Sequence, residues 1–124
     1  MDIEQVFRYG PKAVEGVWTS YEDAELKIAR WNNEAHRSGI QKLYRKFGGK
    51  RSGISEALSE KIGIEAMADN ILMDWKNVTE NGADLPATRE NRVRLLSDYP
   101  DFRDDVFHLS RDPDLFSEEK QEKN

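Results

Sequence analysis

An apolar rhythm with the period of an α-helix runs through the middle of the chain, and it constrains the fold more than any other feature. Seven residues recur at the spacings of one helix face: Ile64, Met67, Ala68, Ile71, Leu72, Trp75 and Val78. We therefore predict one long helix from Ile54 or Ser55 to Lys76, with Trp75 placed mainly in the core. Gly63 could kink this helix or divide it into two.

A β-hairpin is predicted before this helix, over residues 14–32. Val17 to Tyr21 are good strand formers, residues 22–24 supply a turn, and the extended pattern resumes at Leu26. The alternative is a helix over residues 22–36, because this stretch is rich in Ala, Glu, Leu and Lys. We favour the hairpin.

A second apolar stripe predicts a helix that begins at Asn33, a residue type suited to cap a helix N-terminus. Its apolar positions are His36, Ile40, Leu43, Tyr44 and Phe47. Lysine and arginine residues take the opposite side of this helix, which makes it amphipathic and basic. Residues 47–53 then supply a glycine-rich, basic loop that ends it.

The last third of the chain is predicted to hold a loop and two short helices. Residues 79–87 contain Asn-Gly and a proline, which are typical of loops. Thr88 is suited to cap a helix that stops at Pro100, and Asp101 is suited to cap the next one. Residues 117–124 lack apolar anchors, which predicts a disordered, charged tail.

The predicted fold class is therefore α+β and mainly α-helical, with an N-terminal β-hairpin packed on about four helices. A chain of 124 residues has the size of one domain, which we place at residues 1–116. Hydrophobic residues make up 37% of the chain and charged residues 35%, so the core is expected to be small.

The composition also bears on the compartment. Cysteine is absent, which removes disulfides and cysteine-based zinc sites and fits a reducing cytoplasm. No apolar stretch approaches the ~18 residues that cross a bilayer, and the N-terminus begins acidic rather than as a signal peptide. We therefore expect a cytoplasmic protein without a membrane partner.

The charge of the chain is unevenly distributed around a net value of −5. Six lysines and arginines and no acid lie between Ala35 and Ile54, whereas acids outnumber bases from Asp101 onward. A dipolar molecule of this kind is suited to head-to-tail association or to docking on a charged partner. A homo-oligomer is one expectation.

Residues with catalytic or metal-binding potential are few. His36 and His108 are the only histidines, and neither has a partner at a typical catalytic or metal-site spacing, so we interpret both as hydrogen-bonded structural residues. Residues 48–53, GGKRSG, lack the first glycine and the Ser or Thr of a phosphate-binding loop. The carboxylates within residues 98–105 fit turn and capping roles. We expect no enzymatic activity, no cofactor and no metal.

Three blocks of the sequence, taken together, resemble a known family. They are GVWTSY with ELKIARWNN in the first third, LMDWKNV after the helical rhythm, and DLPATRENRVRLLSDYPDFRDDVFHLSRDPDLF behind it. Over roughly residues 14–116 this order resembles the tail assembly chaperones of long-tailed bacteriophages. In that family a "DW-x-x-V" element, here residues 74–78, precedes a polar loop and an "x-E-N-x-x-x-L-L" helix, here with Glu90, Asn91, Leu95 and Leu96.

The resemblance implies a non-enzymatic chaperone of the host-cell cytoplasm that is absent from the mature virion. Its partner would be the tape measure protein, a long helical chain rich in apolar residues that aggregates when unassembled. A longer product made by ribosomal frameshifting would recruit tail-tube protein. An adenine-rich run encoding residues 122–124 would suit a frameshift site.

The residues expected to contact a partner fall into an aromatic set and a basic set. They are Trp18, Tyr21, Trp31 and Trp75, together with Arg37, Lys42, Arg45 and Lys46. The hairpin aromatics are favoured because a two-stranded ribbon has exposed edges, whereas core packing is favoured for Trp75. Two other functions stay open: a structural virion component such as a tail-completion or head-to-tail joining protein, and a nucleic-acid-binding regulator that uses the basic set.

Overall fold

The computed structural model describes residues 1–48 and 53–117, in which helices surround one small sheet. Short helices α1 (Ile3–Phe7) and α2 (Lys12–Glu15) precede strands β1 (Val17–Tyr21) and β2 (Ala24–Ile28). Helices α3 (Glu34–Lys46) and α4 (Glu56–Asn70) lead to strand β3 (Leu72–Lys76). The ribbon β4 (Thr79–Glu80) and β5 (Ala83–Asp84) then precedes α5 (Arg89–Asp98), α6 (Pro100–Ser110) and α7 (Pro113–Phe116). The mainly helical α+β class is confirmed.

The predicted hairpin is present as β1 and β2, which pair antiparallel from Val17 opposite Ile28 to Tyr21 opposite Ala24. Its side chains alternate along β2, where Leu26 and Ile28 are fully buried and Glu25 is exposed. A period of two fits a strand with one covered face, so the alternative helix over residues 22–36 is wrong.

The C-terminal end of the predicted long helix is also wrong, because residues 72–76 form β3 on the other side of β2. The register moves from Ile28 opposite Leu72 to Lys27 opposite Asp74, which leaves Met73 as an extra, bulged residue. A bulge turns two residues that are three apart toward the same face of a sheet. Leu72 and Trp75 are therefore both buried, at a spacing that also occurs on a helix.

Helices α3 and α4 pack against each other as an antiparallel pair, and α4 also contacts β3. Asn33 caps α3 as predicted, with its side-chain oxygen accepting a hydrogen bond from the His36 amide at 3.0 Å. An added Cβ at Gly39 would lie 2.5 Å from the Asn70 side-chain nitrogen, so the glycine permits the close approach of the two helices. Helix α4 is continuous through Gly63.

The last third departs from prediction in its details. Thr88 caps α5 as expected, but α6 begins at Pro100, with Tyr99 rather than Asp101 as the N-cap. Proline suits the first position of a helix because the amide there needs no partner. Within the predicted loop over residues 79–87, Asn81 and Gly82 both have positive φ and form the tight turn between β4 and β5. Helices α1, α2 and α7 were not predicted.

The hydrophobic core lies between the sheet and helices α4, α5, α6 and α7. Its buried members are Leu26, Ile28, Ile64, Met67, Ala68, Ile71, Leu72, Trp75, Leu95, Leu96, Val106 and Phe116. The backbone of Trp31 donates to the Ser110 carbonyl, and an isolated bridge joins Tyr9 to Ser117. The residue after β2 is thereby tied to the end of α6, and the N-terminal segment is tied to the end of α7.

Two predicted features lie wholly or partly outside the described residues. They are residues 118–124 of the predicted tail and residues 49–52 of the glycine-rich loop. In the parts of the chain that the structure describes, the helices are too short or too polar for a membrane span.

Trp75 provides a direct test of this fold. Its indole nitrogen donates to the Leu85 carbonyl at 2.7 Å, and 5% of the residue is exposed. We expect Trp75→Phe to lower the free energy of unfolding by about 2 kcal/mol, from the lost hydrogen bond and the lost ring volume. Urea denaturation measures this change.

Trp18→Phe is the matched control, because Trp18 is 37% exposed. We expect it to change the free energy of unfolding by less than about 0.5 kcal/mol. Equal losses in the two variants would contradict the placement of Trp75 in the core.

Candidate functional site

An open groove of about 930 Å³ lies between the β1–β2 turn, the β4–β5 ribbon and the junction of α5 with α6. Its floor is apolar: Leu95 is buried, and Val78 and Phe102 are half-buried. Its rim carries four exposed acids, Glu22, Asp23, Asp84 and Asp101. Tyr21, Tyr99 and Glu80 also line it. We call this surface the acidic groove.

One wall of the acidic groove is held by a hydrogen bond between distant parts of the chain. The Tyr21 hydroxyl donates to the Asp105 carboxylate at 2.5 Å, which joins β1 to α6. The Tyr21 ring also meets Phe102 edge to face, with 5.7 Å between ring centroids. Burial, together with this hydrogen bond, raises the pKa of Tyr21 to about 12, so its hydroxyl stays protonated at neutral pH.

The opposite wall is held by an ion-pair network. The Arg94 guanidinium donates to both carboxylate oxygens of Glu80, at 2.8 and 3.0 Å, and the Tyr99 hydroxyl donates to the same carboxylate at 3.1 Å. The hydrogen bonds from Arg94 and Tyr99 hold the pKa of Glu80 below its usual value. This two-pronged geometry fixes the β4–β5 ribbon against α5.

The chain segment between β3 and α5 is held in place by further hydrogen bonds. In addition to the bond from Trp75, the Leu85 amide donates to the Val78 carbonyl at 2.9 Å. The Asn91 side chain donates to the Pro86 carbonyl at 2.9 Å. Trp75 and Asn91 therefore fix the polar segment that carries Glu80 and Asp84.

The acidic groove combines carboxylates with apolar side chains. Its carboxylates lie around an apolar floor, an arrangement that suits a segment with one apolar face and flanking cations. Glu80 is already paired with Arg94, whereas the four rim acids form no ion pair within the described residues. Among those residues, no group of three or more His, Asp or Glu side chains is placed to hold a metal ion.

The four predicted aromatic residues lie in different places. Tyr21 lines the acidic groove, and Trp75 is in the core beneath it. Trp18 is on the outer face of the sheet, with the Lys76 ammonium 4.2 Å from its ring centroid. The half-buried Trp31 packs against His36 and Phe107 at the other end of β2. These residues do not form one surface.

The predicted basic residues form a second surface on α3. Arg37, Lys42, Arg45 and Lys46 are all exposed. Beside them, Ile40 and Tyr44 are half-buried and line a shallow hollow together with Arg37 and Arg45. We call Arg37, Lys42, Arg45 and Lys46 the basic face. No residue of the basic face lines the acidic groove.

The two histidines take structural positions. His36 is 1% exposed, and its Nδ1 accepts a hydrogen bond from the Asn32 amide at 3.1 Å. Burial lowers the pKa of His36, which therefore stays neutral at physiological pH. His108 is exposed, with its Nδ1 2.7 Å from the Asp104 carbonyl oxygen.

Sequence reasoning missed most of the groove lining. Asp101 was expected to cap a helix, Tyr99 and Phe102 to lie on the apolar faces of two short helices, and Val78 to continue the apolar rhythm of the long helix. The available signal was the mixture of aromatic and acidic residues in DYPDFRDD, residues 98–105, which is more aromatic than helix capping requires.

The structure is that of a small, mainly helical α+β protein with an open, acidic groove. A comparison with protein-family models identifies its family: the model of the YdaY prophage proteins matches residues 27–124. Because this match covers well over half of the chain, the protein belongs to the YdaY prophage protein family and is phage-related. Comparisons with curated proteins and with solved structures find no match.

The pairing of Glu80 predicts how stability depends on pH. The pKa of Glu80 is lower in the folded state than its usual value of 4.5. The stabilisation of the fold by ionised Glu80 is therefore complete above about pH 4.5 and is lost as the pH falls through the folded-state pKa. We expect Glu80→Gln to lower the free energy of unfolding at neutral pH, and this difference from the wild type to shrink in acid. Urea denaturation across an acid pH series measures it.

Glu25→Gln is the control, because Glu25 is exposed on the outer face of the sheet. The free energy of unfolding of Glu25→Gln should stay close to that of the wild type at every pH. A Glu80→Gln difference that is equally large in acid would show that ionisation of Glu80 does not stabilise the ribbon.

Proposed function

We propose that this YdaY family member is a phage tail assembly chaperone that binds the tape measure protein and keeps it soluble until tail-tube subunits assemble around it. The proposal is supported by membership of a prophage family and by the resemblance of the sequence to tail assembly chaperones. In this function no bond is made or broken. The protein acts in the cytoplasm of the bacterial host and leaves before the virion is complete.

The observation that carries the proposal is that the sequence blocks behind the resemblance meet at the acidic groove. Residues 74–78 supply Val78 to the groove floor, and the polar segment after them supplies Glu80 and Asp84. The helix that follows supplies Leu95, and its C-cap residue Tyr99 also lines the groove. A shared sequence pattern that builds one surface supports a role for that surface.

The target that fits the acidic groove is an amphipathic helical segment. Its apolar side chains would cover Val78, Leu95 and Phe102, and its flanking lysines or arginines would meet the acidic rim. Each apolar side chain that is fully buried contributes about 1.5–3 kcal/mol. Much of this gain is offset by the loss of translational and rotational freedom. A single site is therefore expected to bind weakly.

Weak single sites suit a chaperone that must be removed. Several copies bound along one long target gain avidity, and each copy can leave as tube subunits replace it. Recruitment of the tail-tube protein would fall to a longer frameshift product, in which this domain supplies the contact with the tape measure protein.

Co-expression tests this function. We expect the chain to keep the tape measure protein of its own prophage in the soluble fraction, and Tyr99→Ala to reduce the soluble amount several-fold. Tyr99 lines the groove and is 48% exposed, so its removal takes contact surface from the target. Gel densitometry of soluble and pelleted fractions measures the effect.

Trp18→Ala is the matched variant, because Trp18 is also an exposed aromatic residue but lies on the outer face of the sheet. It should leave solubilisation intact. Loss of solubilisation in Trp18→Ala alone would move the binding site to the hairpin face.

A tape measure protein that pellets equally with and without the chain would contradict the chaperone function. So would stoichiometric retention in purified virions, measured by mass spectrometry. Retention would instead fit a structural component of the tail or of the head-to-tail joint.

A further inference from the structure

The molecule carries two exposed surfaces of opposite charge, and we infer that they bind each other between copies: the basic face of one copy docks in the acidic groove of the next. The occupant of the groove is then a second copy of this chain. This inference uses the groove of the proposed function, but it does not require the tape measure protein, so the two can fail separately.

The basic face is suited to an acidic site because it has no compensating acid. No Asp or Glu lies between Ala35 and Ile54. Within the described residues, none of the four basic side chains forms an ion pair, although Arg37 donates to the Asn32 carbonyl. These cations are therefore exposed on a rigid helix without a carboxylate partner in the described part of their own copy.

The rim of the acidic groove has the complementary property. Glu22, Asp23, Asp84 and Asp101 are exposed and form no ion pair in the part of the chain that the structure describes. The nearby groups Glu80 and Asp105 already bind Arg94 and Tyr21. Four like charges around one depression repel one another, and an incoming set of cations relieves that repulsion.

The apolar parts of the two surfaces also correspond. Ile40 and Tyr44 lie beside Arg37 and Arg45 on α3, as the apolar floor of the groove lies beside its acids. Arg37 and Arg45 are two helical turns apart, which places them about 12 Å from each other along the axis. A groove of about 930 Å³ has room for side chains from one face of such a helix.

This contact forms between copies because α4 separates the two surfaces within one copy. Helix α3 packs on α4, and α4 packs on α5, which lines the groove. A contact between two different surfaces is heterologous, so it continues from copy to copy as a ring or an open chain. Self-association therefore covers the groove, and a bound target competes with it.

A charge-exchange experiment tests the inference. One variant carries Lys42→Glu and Arg45→Glu, and the other carries Asp23→Lys and Asp84→Lys. Sedimentation equilibrium of the full chain is measured against concentration at about 0.05 M and about 0.5 M salt, because the higher salt shortens the range of charge interactions.

We expect the wild-type mass to rise with concentration at low salt and to fall toward that of a monomer at high salt. Each variant alone should shift toward the monomer, since the altered surface then carries two cations and two acids and no longer complements the charge of the other surface. An equal mixture of the two variants should associate again, because the unaltered basic face of the Asp23→Lys/Asp84→Lys chain matches the unaltered groove of the Lys42→Glu/Arg45→Glu chain. This rescue also shows that both variants are folded.

Glu15→Lys with Glu25→Lys is the matched control, since it changes the net charge as much as Asp23→Lys with Asp84→Lys does and both sites are exposed outside the groove. It should associate like the wild type. A wild-type chain that is monomeric at every concentration would overturn the inference. So would association that survives in either charge-reversed variant, or a mixture of the two that stays monomeric.

Discussion

The hydrogen bond from the Trp75 indole to the Leu85 carbonyl, 2.7 Å long, is the interaction on which the binding surface depends. Trp75 is held in the core by β3, so the bond fixes the segment after β3 at a buried anchor. Without it, Glu80 and Asp84 would lie on a segment that keeps its hydrogen bonds to Asn91 and Arg94 but loses its attachment to the buried Trp75. With it, they are placed opposite the first hairpin, and the space between becomes a preformed groove.

The groove is also stabilised by hydrogen bonds and ion pairs that involve only some of the carboxylates around it. Arg94 satisfies Glu80, and the Tyr21 hydroxyl satisfies Asp105, so these two carboxylates hold walls together. The four rim acids are exposed and form no ion pair with any residue that the structure describes. A surface with structural and unpaired carboxylates side by side can be rigid and still attract cations, which suits weak and reversible contacts.

Local sequence patterns predicted much of the secondary structure. They did not predict the groove, because it is formed by residues that are distant in the sequence. The alternation along β2 and the caps at Asn33 and Thr88 depend on neighbours in sequence, and all were predicted. The bulge at Met73 places two buried residues of β3 three positions apart, which is also a helical spacing, so β3 was predicted as part of a helix. One wall of the groove is held by the hydrogen bond between Tyr21 and Asp105, which are 84 positions apart, and no spacing rule connects them.

Hydrogen exchange of the chain, free and bound to the tape measure protein, tests most directly whether the groove is the binding surface. A target seated in the groove should add protection in residues 77–84 and 99–102, which line it. Added protection confined to β1 or to α3, with these segments unchanged, would contradict the role assigned to the groove.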